Sequence, residues 1–188
     1  RGTAGALVPS AASAVHYYRS LGRGWERQAL LKARPVAGDL ALGASFLREM
    51  EPWVYGRPLL MAEISEIRRL KRAIEDSPDA GAGNLKTGRG GIRDVEFTVQ
   101  FLQLLLGDGH PEVRSGNTLE GLRRLRAAGA LSDVEAESLA GAYGFLRLAE
   151  HRLQAAEDAQ VHSLPPDDEG VALLARRMGL GTGGREAL

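Results

Sequence analysis

At 188 residues the chain can bury one sizeable core, or a small core with part of a second domain. Hydrophobic residues make up 44%, charged residues 26% and aromatics 5%, the balance of a soluble globular protein with an aliphatic helical core, which excludes disorder along the whole length. Lys+Arg and Asp+Glu are both 24, so no net field draws nucleic acid; the absence of Cys excludes disulfides and thiolate chemistry and fits a reducing, cytoplasmic setting; and no apolar run approaches bilayer length.

Gly2 and Gly5, then Ala6, Leu7, Val8 and Pro9, read as a turn and a short extended piece, the expected end of a sheet whose other strands are missing. A start at Arg1 rather than Met is expected of a fragment. Ser10 is placed to cap a helix over 11–21 that Gly22 and Gly24 end, and a second short helix is predicted over 25–33, stopped by Pro35. Asp39 caps a third through about Met50, and 52–58 reads as a joint. The next stretch, 59–74, is strongly amphipathic, with Ile64, Ile67, Leu70 and Ile74 on one side and Arg68, Arg69, Lys71 and Arg72 on the other.

After a Pro-, Gly- and Asp-containing loop at 77–83 comes the most apolar helix, from near Ile92. Ile92, Val95, Val99, Leu102 and Leu106 form one stripe, and Phe97, Phe101, Leu104 and Leu105 a second, so it belongs at the centre of a bundle. Asn117 with Glu120 and Ser132 with Glu135 have capping-box spacing, predicting helices to about Ala127 and about Gln154. Asp167 or Asp168 caps a last helix to Met178, followed by a Gly-rich tail. The predicted fold is mainly α: an antiparallel helical bundle over 53–188, preceded over 1–52 by the remnant of an α/β domain.

Chemistry is concentrated at Lys86-Thr87-Gly88-Arg89-Gly90-Gly91-Ile92-Arg93-Asp94-Val95-Glu96-Phe97, a glycine-rich loop entering the apolar helix. Lys86, Arg89 and Arg93 beside exposed N–H groups would suit a phosphate or carboxylate, while the same glycines also permit close packing and cap geometry. The loop has no Gly-Lys-Ser/Thr ending and no strand before it, so it is neither a Walker loop nor a dinucleotide fingerprint. Glu96, Gln100 and Gln103 form a polar stripe that must find partners when buried; Arg93 and Arg68 are candidate ion partners, and a contact with an adjoining catalytic domain is the sharper alternative. Lys32 and Arg34, ending the second helix, either complement its dipole or hold nucleotide phosphates. His16, His110, His151 and His162 are scattered without i, i+4 pairing, which gives no metal site, and the Arg114, Arg123, Arg124 and Arg126 patch reads as a solvated face.

Taken in order, Gly2 to Val8, Trp25-Glu26-Arg27 through Lys32-Ala33-Arg34, Gly90-Gly91-Ile92-Arg93-Asp94-Val95-Glu96-Phe97, and Phe145-Leu146-Arg147 with Glu150-His151-Arg152-Leu153-Gln154 resemble the bacterial glutamine synthetase adenylyltransferase/adenylyl-removing family. The resemblance covers most of the chain and weakens after about Pro166. Arg93 and the 158–165 segment look like the N-terminal, adenylyl-removing half, which takes AMP from a glutamine synthetase tyrosine by phosphorolysis. The resemblance implies that 1–52 ends a nucleotidyltransferase domain whose three acids hold two Mg2+, with ATP, ADP and phosphate as substrates, and that those acids lie before Arg1, leaving this chain alone inactive. It places Lys32 and Arg34 on the nucleotide or phosphate side, and Lys86, Gly90, Gly91, Arg93, Asp94 and Glu96 at the junction of helical and catalytic domains. Glutamine synthetase is the implied partner, with the nitrogen regulatory PII protein a possible second. The alternatives are a helical interaction module whose glycine loop only packs, and the related uridylyltransferase of nitrogen regulatory proteins.

Overall fold

The structure, a computed structural model, describes residues 8–77, 81, 83–157 and 159–180. The predicted turn and extended piece at 2–8 lies outside the described residues except for Val8, and so do residues 78–80 and 82 of the 77–83 loop and the tail beyond 180. Among the described residues there are eight α-helices, a 3-10 turn at Pro111–Val113 and one isolated antiparallel bridge, Asn84 to Ser163, with no strand.

The first helix, α1, is Ala11–Leu21, and Ser10 caps it by accepting the Ser13 N–H at 3.2 Å. The second, α2, is Gly24–Leu30, shorter than predicted. Lys32 and Ala33 turn their N–H groups back three residues to Ala29 and Leu30, and Pro35 keeps Arg34 out of the helical region, so Lys32 and Arg34 lie past the helix end. The third, α3, runs Leu40–Tyr55 from an Asp39 cap and passes through Pro52. Burial of Met50, Val54 and Tyr55 outweighs the missing proline donor, and the Pro52 carbonyl still takes the Gly56 N–H at 2.9 Å.

The remaining helices are α4 (Met61–Glu75), α5 (Ile92–Leu106), α6 (Thr118–Ala127), α7 (Asp133–Glu157) and α8 (Asp168–Arg177). The Ser132–Glu135 capping box is complete, since Ser132 N–H reaches Glu135 Oε2 at 2.8 Å and Glu135 N–H reaches Ser132 Oγ at 3.3 Å. The Asn117 box is half made: Asn117 Oδ1 takes the Glu120 N–H at 3.0 Å, while the Glu120 carboxylate turns to Arg123 and Arg124. Those two guanidiniums hold the Glu120 carboxyl down at about 2.

Three apolar clusters run through the molecule. Leu31, Val54, Tyr55, Leu59, Ile67 and Leu104 join α2, α3, α4 and α5. Val95, Val99, Val113, Leu122 and Leu125 join α5 to α6, with Leu139 and Tyr143 of α7 against them. Leu85, Ala149, Leu153 and Leu174 join the glycine-rich loop to α7 and α8. The most apolar helix, α5, thus sits centrally, as its two stripes predict, although Leu105 is 46% exposed.

The α5–α6 contact depends on one missing methyl. A Cβ on Gly121 would stand 2.7 Å from Val99 Cγ1 and 3.1 Å from Gln103 Nε2, inside normal contact. Gly121→Ala is therefore expected to lower stability by about 1–3 kcal/mol, an overpacking penalty that exceeds the helix-propensity gain, and urea unfolding measures it.

Candidate functional site

The polar stripe of α5 lies between helices, with Gln100 and Gln103 buried and Glu96 half-buried, and its partners are not the predicted ones. Neither Arg93 nor Arg68 pairs with it. Lys32 Nζ donates to Glu96 Oε1 at 2.7 Å, and the Tyr143 hydroxyl donates to the same oxygen at 3.3 Å. Gln28 Nε2 donates to Gln100 Oε1 at 2.8 Å, and Gln103 Nε2 donates to the Val113 and Ser115 carbonyls, each at 2.9 Å. The sequence periodicity locates the stripe on α5 but carries no information on which helix crosses it. Crossing α2 is what brings Gln28 and Lys32 there, one turn apart. Glu96 thus connects α5, the turn after α2, and α7.

The glycine-rich loop uses most of its N–H groups on itself. Gly88 donates to Asn84 at 3.1 Å, Gly91 to Gly88 at 2.9 Å, Ile92 to Leu85 at 2.9 Å and Arg93 to Lys86 at 3.0 Å. Asp94 Oδ2 accepts the Gly90 N–H at 2.8 Å, and its other oxygen meets Lys71 Nζ at 2.9 Å. These bonds explain the paired glycines: Gly90 has φ +76°, and a Cβ on Gly91 would lie 2.8 Å from two carbonyl oxygens. Asp94 is therefore a cap for the loop and a tie to α4.

The loop is also anchored to the segment after α7. Leu85 N–H donates to the His162 carbonyl at 2.7 Å and Leu164 N–H to the Gly83 carbonyl at 2.9 Å. His162 Nδ1 lies 2.8 Å from Glu150 Oε1, Lys86 Nζ lies 3.4 Å from His162 Nε2, and Arg147 Nη1 donates to Glu150 Oε2 at 2.6 Å. Glu150 is only 2% exposed, and His162 and Arg147 are the side chains its carboxyl meets among the described residues. His151, by contrast, is exposed, and its ring meets Arg147 Nη2 at 3.2 Å. Of the sequence candidates, Lys32 with Glu96, Asp94 with Gly90, and Lys86 with His162 are thus assembled. The side chains of Arg34 and Arg93 have no hydrogen bond or ion pair with a described residue.

A second assembly was not legible in the sequence. Arg27, with no exposed surface, donates Nε and Nη2 to the Val54 carbonyl at 3.1 and 2.8 Å, and Nη2 also to the Arg57 carbonyl at 2.9 Å. Its Nη1 reaches both Glu63 oxygens at 3.3 and 3.2 Å, and Arg57 grips the same carboxylate bidentately at 2.7 and 2.8 Å. Burial alone would raise the Glu63 pKa. The Arg57 hydrogen bonds, the Leu60 N–H and the Arg27 charge outweigh it and hold the carboxyl below its ordinary 4.5. Because the folded value is the lower one, this stabilisation is complete above about pH 4.5 and is lost as pH falls through the folded value. Urea midpoints measured from pH 6 to pH 3 should fall more steeply for the wild type than for Glu63→Gln.

Two family models match the chain. Residues 60–188 match the one described as GlnD PII-uridylyltransferase, and residues 1–49 match the one described as Glutamate-ammonia ligase adenylyltransferase. Proteins named bifunctional glutamine synthetase adenylyltransferase/adenylyl-removing enzyme are similar across both regions: 43% identical over 174 residues, 90% of this chain, in Mesorhizobium japonicum, and 45% identical over 179 residues, 93% of this chain, in Xanthobacter autotrophicus. The chain belongs to the glutamine synthetase adenylyltransferase family. A third relative, from Caulobacter vibrioides, is 45% identical over 161 residues, 83% of this chain. The chain spans 16–18% of the length of these relatives. Within this adenylyltransferase-family chain, the two matched regions meet at the Lys32–Glu96 bridge and the Arg27–Glu63–Arg57 assembly, each of which joins residues before 50 to residues after 60 except at Arg57. The acids near the site, Glu63, Asp94, Glu96 and Glu150, are all engaged with cations of the fold, and the described residues gather no group of three that could hold a metal ion. No helix among them is long and apolar enough to cross a membrane.

Proposed function

We propose that this chain is the helical part of the adenylyl-removing half of a glutamine synthetase adenylyltransferase, with 1–52 as the end of its nucleotidyltransferase domain and 53–188 as the bundle. In this reading AMP passes from the tyrosine oxygen of glutamine synthetase to inorganic phosphate, giving ADP and the free tyrosine hydroxyl. The observation that carries it is the 2.7 Å contact of Lys32 with Glu96, which ties the nucleotide-side cation to the junction helix. Lys32 remains partly exposed, so it presents a fixed positive charge at the surface where phosphate oxygens would arrive. Arg34 and Arg93, whose side chains have no hydrogen bond or ion pair among the described residues, add cationic reach at the same junction.

The Mg2+ that such transfer uses would be held by acids outside the described residues, and the chain by itself would be inactive. Assignment to the removing half rests on Arg93 and the 158–165 segment, whose His162 packs on the glycine-rich loop. Cytoplasmic glutamine synthetase is the substrate protein in this reading, and the PII protein a regulator. The match of 60–188 to the uridylyltransferase model favours a second reading, in which the bundle serves nucleotide removal from a nitrogen regulatory protein.

The test supplies phosphate and Mg2+ to the native-length parent and to this chain, with adenylylated glutamine synthetase or uridylylated PII protein as substrate. ADP release by the parent alone, from glutamine synthetase alone, is the expected result. No ADP release by either protein, or release of a uridine nucleotide from the PII protein instead, overturns the first reading.

A further inference from the structure

An apolar groove lies between α4 and α5. Both α4 and α5 pack on α2 and share the cluster that holds Ile67 and Leu104, while few of their backbone positions come close to one another. Between them is a cavity of about 250 Å3 lined by Ile64, Ile67, Phe97, Phe101 and Leu102, with Arg68 and Thr98 at its edges. The two helices run antiparallel here. One end is closed by the Lys71–Asp94 bridge at 2.9 Å, and the other opens toward Met61 and Leu105, which are 73% and 46% exposed. At 1.5 Å per residue the trough is about 15 Å long, two to three helical turns.

Its charge is one-sided. Arg68 lines the α4 edge and Arg72 stands one turn further along the same helix face; both are exposed and have no acid partner among the described residues, and like charges at i, i+4 repel. The α5 edge contributes the neutral Thr98, whose hydroxyl is bonded to the Asp94 carbonyl at 2.8 Å. An occupant must therefore be apolar on one face and acidic along one flank, the description of an amphipathic helix carrying Asp or Glu beside its apolar stripe.

The size of the trough says how that helix is delivered. One helix laid over about 15 Å covers on the order of a few hundred Å2, well short of the roughly 800 Å2 per partner of a free-standing interface. A tethered segment overcomes the deficit, because a linker raises its effective concentration to about the millimolar range. The relatives extend far beyond the matched region, which is 18% of the Mesorhizobium japonicum protein.

We infer that the α4–α5 groove docks an acidic amphipathic helix from elsewhere in the same, longer polypeptide. The inference rests on the reading of this chain as part of a native-length adenylyltransferase. It makes α4 a point at which another part of that enzyme would bear on the bundle, through the same helix whose Glu63 and Lys71 hold the α2 and α5 ends.

The experiment places a photoreactive residue in the groove of the native-length protein, as Thr98→p-benzoylphenylalanine, and maps the crosslink by mass spectrometry. The expected product has monomer mass, joined to a segment of helical apolar period with an acidic flank. Adding Arg68→Glu and Arg72→Glu should lower its yield at least fivefold, with thermal unfolding unchanged. A crosslink to a second protein, to a basic or non-helical segment, or no crosslink at all overturns the inference. Phosphorolysis assayed on the same preparation fails or succeeds independently, so loss of the functional reading is not confused with loss of the groove's occupant.

Discussion

Arg27→Ala is expected to destabilise the chain by about 3–5 kcal/mol, the range for removing one partner of a buried, hydrogen-bonded charge. The guanidinium has no exposed surface and joins α2 to the end of α3, to the 56–60 turn and to the start of α4. Its loss leaves the buried Val54 carbonyl without its guanidinium donors and Glu63 with Arg57 as its sole cation. Arg27→Lys should recover only part of the loss, because an ammonium keeps the charge but cannot reach two carbonyls and a carboxylate at once. Arg57→Ala should cost less, since its side chain is 42% exposed and water can replace it. Urea unfolding of the three variants orders them; equal losses for Arg27→Ala and Arg57→Ala would reject the ranking.

The second large effect is on activity. In the native-length parent, Lys32→Ala is expected to lower the phosphorolysis rate by about 100-fold, the scale at which loss of a positioned charge or a misplacement of about 1 Å is felt in phosphoryl transfer. Glu96→Ala should lower it about 10-fold by releasing Lys32 and Tyr143 together, an effect through position. Arg93→Ala is expected to weaken activity if Arg93 serves the domain junction, and to leave stability unchanged, because its side chain has no partner among the described residues. The distinguishing readout is the double variant: if Glu96 acts only by holding Lys32, Lys32→Ala with Glu96→Ala is no slower than Lys32→Ala alone. Unchanged kinetics in the single variants, with normal stability, would reject the assigned roles.

Helix positions were largely legible because they depend on local signals. Ser10, Asp39, Asn117 and Asp167 each take an N–H three residues on, as their types and places predict. The two misjudged ends, of α2 and α3, lie where tertiary burial and a tight turn override local preference. The glycine pair at 90 and 91 was legible as a loop needing special backbone, and Gly90 and Gly91 supply it by different routes, one by conformation and one by absence of a side chain. Which groups those residues meet was not legible. His162 and Glu150 stand far apart in sequence from Lys86, and the only sequence signal for them was that each falls in a segment resembling the family.

By itself the sequence determined that this protein is helical, where its helices begin, that α5 is its centre, and which family it belongs to. These follow from periodicity, caps and motif order, all read within a turn or two of the chain. Only the tertiary structure decided that Glu96 faces Lys32 rather than Arg93, that Arg27 is buried against Glu63, and that α4 and α5 part to leave a groove. Those outcomes depend on the angles at which helices cross, which set long-range partners and are fixed by the packing of side chains from several elements at once.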